Sequence, residues 1–184
     1  MVLMVALIML VALTLAVLAL MRSVDTATLI AGNLSFQQAA THSGDSGVEA
    51  GISWVENNAA LLIADQPASG YAANGLTAAP GPNAGESWDA YWTRVWAIRP
   101  PVQLNADASG NTVAYVIDRL CNGAGAPTAG AGCSSSPVTG RAAGNAEEGG
   151  DIQVNAASQV YYRVTARIQG PRNTLSYVQT IIAR

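Results

Sequence analysis

The chain opens on an unbroken apolar run, Met1 to Met21 (MVLMVALIMLVALTLAVLALM), in which Thr14 is the only polar side chain. A helix rises ~1.5 Å per residue, so the run is ~30 Å long, the thickness of a bilayer's hydrocarbon core. Backbone in lipid must satisfy its own hydrogen bonds, which predicts helix wherever this run meets membrane. Arg22 follows at once, then Asp25. Val2, Leu3, Val5, Leu7, Leu10, Leu13, Leu18 and Met21 are the candidate surface by which such a rod meets lipid or other helices. A cleaved secretory signal has a shorter apolar core behind a basic start. This run has no basic residue ahead of it, and Ala19-Leu20-Met21 is a poor cleavage site. A soluble core helix without a polar face needs a large protein around it, which the remaining residues cannot supply. The pattern therefore predicts a membrane or filament-core helix.

From Arg22 the pattern turns amphipathic. Val48, Ile52, Val55, Ala59 and Leu62 fall at steps of four and three on one helical stripe, and Ile30 and Leu34 begin a similar stripe earlier. Gly32, Gly44, Gly47 and Gly51 interrupt it, each costing ~1 kcal/mol relative to Ala in a helix. Ser43-Gly44-Asp45-Ser46-Gly47 is the weakest point. A bend, local unwinding or a break is expected there; close packing of the glycines against a neighbour is the other reading. Gln66-Pro67 ends the rod. This divides the chain into an apolar helix half over 1–22, an amphipathic half over 23–66, and a globular β-sheet domain with long loops over 67–184.

Within that last part, 68–87 reads as loop around Pro80-Gly81-Pro82-Asn83. Four strands are predicted after it. Trp88 to Arg99 (WDAYWTRVWAIR) places Trp92 and Trp96 on one face and Tyr91 on the other, and Pro100-Pro101 stops it. Asn105 to Asn111 is turn-like, and Thr112 to Leu120 (TVAYVIDRL) is the second strand. Gln159 to Ile168 (QVYYRVTARI) alternates most cleanly. Gly170-Pro171-Arg172-Asn173 makes a hairpin turn into Thr174 to Ile182 (TLSYVQTII). The predicted architecture is α+β: a long N-terminal helix packed on an antiparallel sheet of about four strands.

Composition refines this in two ways. Only 11 % of the 184 residues are charged, all nine basic residues are Arg, and the net charge is −3, which argues against a basic nucleic-acid surface. The two cysteines, Cys121 and Cys133, enclose a Gly- and Ala-rich loop. An even count behind a membrane segment suggests an exported domain with one disulfide. Free thiols or a metal site are the alternatives; zinc would need two more ligands, and the sole histidine, His42, is distant in sequence.

No catalytic constellation emerges. His42 reads as a solvated polar residue, and its neighbours Ser43 and Asp45 point elsewhere on a helix, so no triad forms there. Glu147-Glu148-Gly149-Gly150-Asp151 lacks EF-hand spacing and reads as a solvated acidic loop. Asp107-Ala108-Ser109-Gly110-Asn111 reads as a turn before a ligand set. No enzyme, cofactor or metal is expected. Trp88, Tyr91, Trp92 and Trp96 have two readings: domain core over the helix stripe, or a partly exposed patch for a neighbouring subunit, since aromatics are enriched at interface hot spots.

The first fifty residues also resemble the N-terminal signature of PilX-type minor pilins of the type IV pilus. In that family an apolar run leads into a Met-Arg step, a motif like AGN and a segment like QAAEAALRAAE. Met21-Arg22, Ala31-Gly32-Asn33, Gln38-Ala39-Ala40 and Glu49-Ala50-Gly51 stand in the matching places here. YYRVTARIQGPRNTLSYVQTII is similar to the paired strands that close such proteins. The resemblance implies a type IV pilin-like fold and a structural role in initiating or capping pilus assembly near the filament tip. It also implies a single-pass inner-membrane stage with the head in the periplasm, then an extracellular pilus. The implied partners are other minor pilins, the major pilin and a tip adhesin, in adhesion, twitching motility or DNA uptake. Most pilins carry Glu at mature position five, where this chain has Val5, which in the family goes with a tip position. Pilin precursors also carry a short basic leader, so Met1 is read as the processed and N-methylated terminus. The alternatives are a single-span membrane-anchored periplasmic binding domain and a type II secretion pseudopilin.

Overall fold

A computed structural model describes residues 1–78, 80–136 and 159–184. The chain divides into two compact units, Met1–Ala40 and Thr41–Arg184. The fold is α+β, with a 56-residue helix, α1 (Val2–Asn57), leading into the head. The head adds β1 (Tyr71–Ala72), the one-turn α2 (Gly75–Ala78), α3 (Trp88–Ile98), β2 (Val102–Gln103), β3 (Thr112–Arg119), β4 (Tyr161–Gln169) and β5 (Leu175–Ala183). The acidic loop 147–151 lies outside the described residues.

Helix α1 is unbroken through Gly44 and Gly47, so the expected local unwinding or break is absent. Packing explains this. Gly44, Gly47 and Gly51 lie at i, i+3 and i+7 and turn one face to the sheet. A Cβ on Gly47 would stand 2.6 Å from Val113 Cγ1, one on Gly51 2.8 Å from Val164 Cγ1, and one on Gly44 2.7 Å from Val178 Cγ2. The glycines that weaken an isolated helix here let its backbone meet the strands. The helix ends at Asn57, before the Gln66-Pro67 stop. The Asn57 and Asn58 amides donate back to the Ser53 and Trp54 carbonyls at 2.8 Å each. Arg184 donates from Nη1 to the Val55 carbonyl at 2.6 Å and from Nη2 to the Glu56 carbonyl at 3.2 Å. A cation at a helix C-terminus satisfies carbonyls that have no partner within the helix.

The sheet order is β1-β3-β4-β5, with β2 also pairing with β3. It is mixed, because β1 runs parallel to β3 while β2, β4 and β5 pair antiparallel with their neighbours. The loop expected over 68–87 thus contributes a short strand and a helical turn. The last three predicted strands stand, and the hairpin between β4 and β5 turns through Pro171–Asn173, with Asn173 at φ 59°. Strand alternation sorts the residues into two layers. Val113, Tyr115, Val164, Ala166 and Ile168 face α1. Ala114 and Val116 face α3 and pack with Tyr91, Trp92 and Val95. The head is therefore a sheet between two helices.

The first predicted strand is instead α3. Ser87 caps it, its Oγ accepting from the Ala90 N–H at 3.2 Å, and Asp89 stands in the first turn. Both favour a helix start. The buried positions are Tyr91, Trp92 and Val95, a helical stripe. Arg99 turns extended ahead of Pro100, as the residue before a proline must.

Cys121 and Cys133 form the expected disulfide. Arg119 holds the loop they close. Its Nη2 donates to the Gly123 and Gly125 carbonyls at 3.1 and 2.9 Å, and its Nε to the Ala73 carbonyl at 2.9 Å. We expect alkylation without reductant to leave the intact mass unchanged and alkylation after reduction to add two adducts. Reduction should lower stability by ~3 kcal/mol, the loop-entropy value for this span.

Candidate functional site

The residues with candidate function in Met1–Ala40 form one exposed helical surface. Every large apolar side chain from Met1 to Phe36 faces outward, Val2, Leu3, Val5, Leu7, Leu10, Leu13, Leu18 and Met21 among them. The threonines do not leave polar groups for lipid to solvate. Thr14 donates to the Val11 carbonyl at 2.8 Å, Thr26 to the Arg22 carbonyl at 2.7 Å and Thr28 to the Val24 carbonyl at 2.5 Å. Such back-bonding to the preceding turn satisfies a hydroxyl without an outside partner.

This surface is longer than a membrane requires. About twenty helical residues cross the hydrocarbon core. Beyond the Arg22 step, Val24, Leu29, Ile30, Leu34 and Phe36 are still more than half exposed. Val17, Leu20, Val24, Ala27, Ala31 and Leu34 repeat at alternating steps of three and four. That is the spacing of a seam between packed helices. The first twenty-one residues have the length of one membrane crossing, and exposed apolar positions continue beyond them to Phe36.

Within the head, Ser43 of α1 is tied to the loop before β3. Its Oγ donates to Asp107 Oδ2 at 2.5 Å, and Asn111 Nδ2 donates to both Ser43 Oγ and Asp107 Oδ2, at 2.9 and 3.1 Å. The backbone N–H groups of Ser109 and Asn111 donate to Asp107 Oδ1 at 2.8 and 2.9 Å. The hydrogen bond from Ser43, then those from Asn111, lower the Asp107 pKa from 3.8 to about 2. A carboxyl more acidic in the folded state stabilises the fold fully above its unfolded pKa. That contribution is then lost as pH falls from 3.8 through about 2. Urea midpoints of wild type and Asp107→Asn should differ most near pH 5 and converge at the acid end. The gap sequence DASGN is thus a latch between α1 and the sheet.

A second cluster lies on the α3 side and escaped the sequence reading. Asp118 on β3 is fully buried and pairs with two arginines, Arg99 at the end of α3 and Arg163 on β4. Arg163 Nη2 donates to Asp118 Oδ2 at 3.0 Å; Arg99 Nη2 donates to Oδ1, and its Nε reaches the Gly70 carbonyl at 3.1 Å. Gly70 sits at φ 63°, the left-handed region open to glycine. The cluster locks α3, β1, β3 and β4 together. Its signal in the sequence was a carboxylate, Asp118, inside an otherwise apolar strand.

No family model, curated protein or solved structure matches the chain. The observed frame is a long apolar N-terminal helix on a mixed sheet with a disulfide, and a pilin-like fold is compatible with it. The apolar helix has the length and composition of a membrane anchor. The aromatic set divides between buried and exposed positions. Tyr91 and Trp92 are buried against β3, on the sheet face opposite α1 rather than over its stripe. Trp88 and Trp96 are exposed, at 40 % and 45 %. Trp88 stacks on Tyr177 of β5 with ring centroids 5.6 Å apart. Burial raises the Tyr91 and Tyr177 pKa values, so both phenols stay neutral at physiological pH. Among the described residues, no three or more His, Cys, Asp or Glu side chains gather as a metal ion would need.

Proposed function

We propose that this chain is a structural subunit of a type IV pilin-like filament, a minor pilin of the PilX type that takes part in initiating or capping assembly. The observation that carries the reading is the exposed apolar surface of α1 continuing past the span of a bilayer, to Phe36. A simple anchor has no use for Val24, Ile30 and Leu34; a helix that leaves lipid to pack among similar helices does. Transfer costs little, because apolar packing replaces lipid contact. The head stays outside the helix bundle, carried by the three-glycine contact of α1 with the sheet. Before assembly the first twenty-one residues hold the chain in the inner membrane with the head in the periplasm. Partners on this reading are other minor pilins, the major pilin and a tip adhesin. Val5, in place of the family's Glu, goes with a position at the tip.

The test is co-purification with sheared filaments, from wild-type cells and from cells lacking the prepilin peptidase. The chain should appear in the sheared fraction of the first and only in membranes of the second. Recovery in membranes alone, in both strains, overturns the filament reading in favour of a single-span anchored head. Immunogold labelling spread along the shafts would overturn the tip position.

A further inference from the structure

The two edges of the sheet are built differently. One side of β3 is covered in pieces by β1 and β2, two residues each, and edges that short offer little template for pairing. The other edge is β5, nine residues long, paired with β4 in unbroken register from Gln169↔Leu175 to Tyr161↔Ala183. Its sequence, LSYVQTIIA, holds no charged residue, no Pro and no Gly. Exposed edges are usually guarded by charge, proline or a bulge; β5 has none of the three.

The ladder tells which backbone groups are open. Val160 and Arg184 exchange both hydrogen bonds, at 2.7 and 2.9 Å, and the Gly170 N–H donates to the Thr174 carbonyl at 2.9 Å. Antiparallel pairs alternate between bonded and non-bonded. The even-numbered residues 176 to 182 therefore bond to β4, and Leu175, Tyr177, Gln179, Ile181 and Ala183 turn their N–H and C=O groups outward. Among the described residues no partner meets them. On the same residues the side chains of Leu175 and Ile181 are exposed, Ile181 at 58 %.

We propose that the outer edge of β5 accepts an extended strand from a different protein, uncharged and apolar at alternate positions, which continues the sheet. The chemistry of the occupant follows from the edge. Nine neutral residues offer a charged strand no counter-ion, whereas Leu175 and Ile181 reward an apolar neighbour on the α3 side. A second copy of this chain fits less well. Its opposite edge is blunted by β1 and β2, so a copy can reach β5 only with its own β5, antiparallel about a two-fold axis. That arrangement turns the two heads end for end, whereas neighbouring chains anchored in one membrane share one direction. The choice of a different protein over a second copy rests on the anchored reading above; the open edge itself does not.

Residue-resolved hydrogen exchange on the full chain tests this, with the chain purified in detergent, in native membranes and in sheared filaments. Purified chain should protect the even amides and leave 177, 179, 181 and 183 fast. In whichever native fraction holds the partner, those odd amides should slow by at least ~100-fold, the protection a paired strand confers. Two variants isolate the backbone contribution. Ile181→Pro removes an outward N–H without taking a donor from the β4 ladder and should abolish the native protection of 177 and 179, whereas Ile181→Thr, which keeps the N–H, should retain it. Odd amides that stay fast in both membranes and filaments overturn the proposal. Odd amides that slow with rising concentration of the purified chain overturn it in favour of a second copy. Absence from filaments with protected odd amides in membranes overturns the filament reading alone.

Discussion

Asp118→Ala should destabilise the head by ~3–5 kcal/mol, the usual cost of leaving a buried partner charge uncompensated. Asp118 is fully buried between Arg99, whose side chain is 2 % exposed, and Arg163, whose side chain is 11 % exposed. Truncating the carboxylate therefore strands positive charge against α3 and β4. The half-buried pair Arg94–Glu86 is the control: its side chains are 31 % and 15 % exposed, so water can reach the partner left behind. Chemical denaturation should show a large loss for Asp118→Ala and a much smaller one for Glu86→Ala. Equal losses from the two would mean that the buried cluster is not what holds α3 to the sheet.

The contrast between that cluster and the rest of the head explains what the sequence disclosed. The three long strands were legible because each is rich in β-branched and aromatic residues between turn signals, and period two survives in YYRVTARIQ and LSYVQTIIA, whereas TVAYVIDRL is buried on both faces and reads as a near-continuous apolar run. The apolar length of the first twenty-one residues needed no tertiary information, and neither did the pairing of two cysteines across a short loop. Residues 88–98 were read wrongly because aromatic and β-branched content favours strand, while positions 88, 91, 92 and 95 satisfy a helical stripe equally well. The deciding marks were local and polar: Ser87 at the cap and Asp89 in the first turn. β1 and α2 are too short to carry a period at all; they exist because β3 offers Tyr71 and Ala72 a parallel edge. The Asp107 latch was visible as a turn, but its reach to Ser43 crosses 64 residues and only the fold brings the two together.

Gly47→Leu should cost the head at least ~3 kcal/mol, at the upper end of what overpacking does. A Cβ at this position already falls 2.6 Å from Val113 Cγ1 and 3.3 Å from the Ala166 Cβ. Val113 and Ala166 are themselves buried in the sheet, and a β-branched valine has few rotamers to yield with. The helix must therefore lift, and the burial of Val48 and Val55 goes with it. Gly51→Leu should behave alike, since its Cβ would stand 2.8 Å from Val164 Cγ1. Gly32 is the matched control, because a Cβ there meets nothing within 4 Å. Gly32→Ala should leave the unfolding midpoint of the head unchanged while adding up to ~1 kcal/mol to local helix propensity. The pair of outcomes separates two roles that a count of helix-breaking residues confuses. At 44, 47 and 51 glycine is needed because the strands are near, and the propensity it gives up is offset by the approach it permits. Midpoints for Gly47→Leu and Gly32→Ala that shift by the same amount would show that α1 is held to the sheet by something other than this close backbone contact.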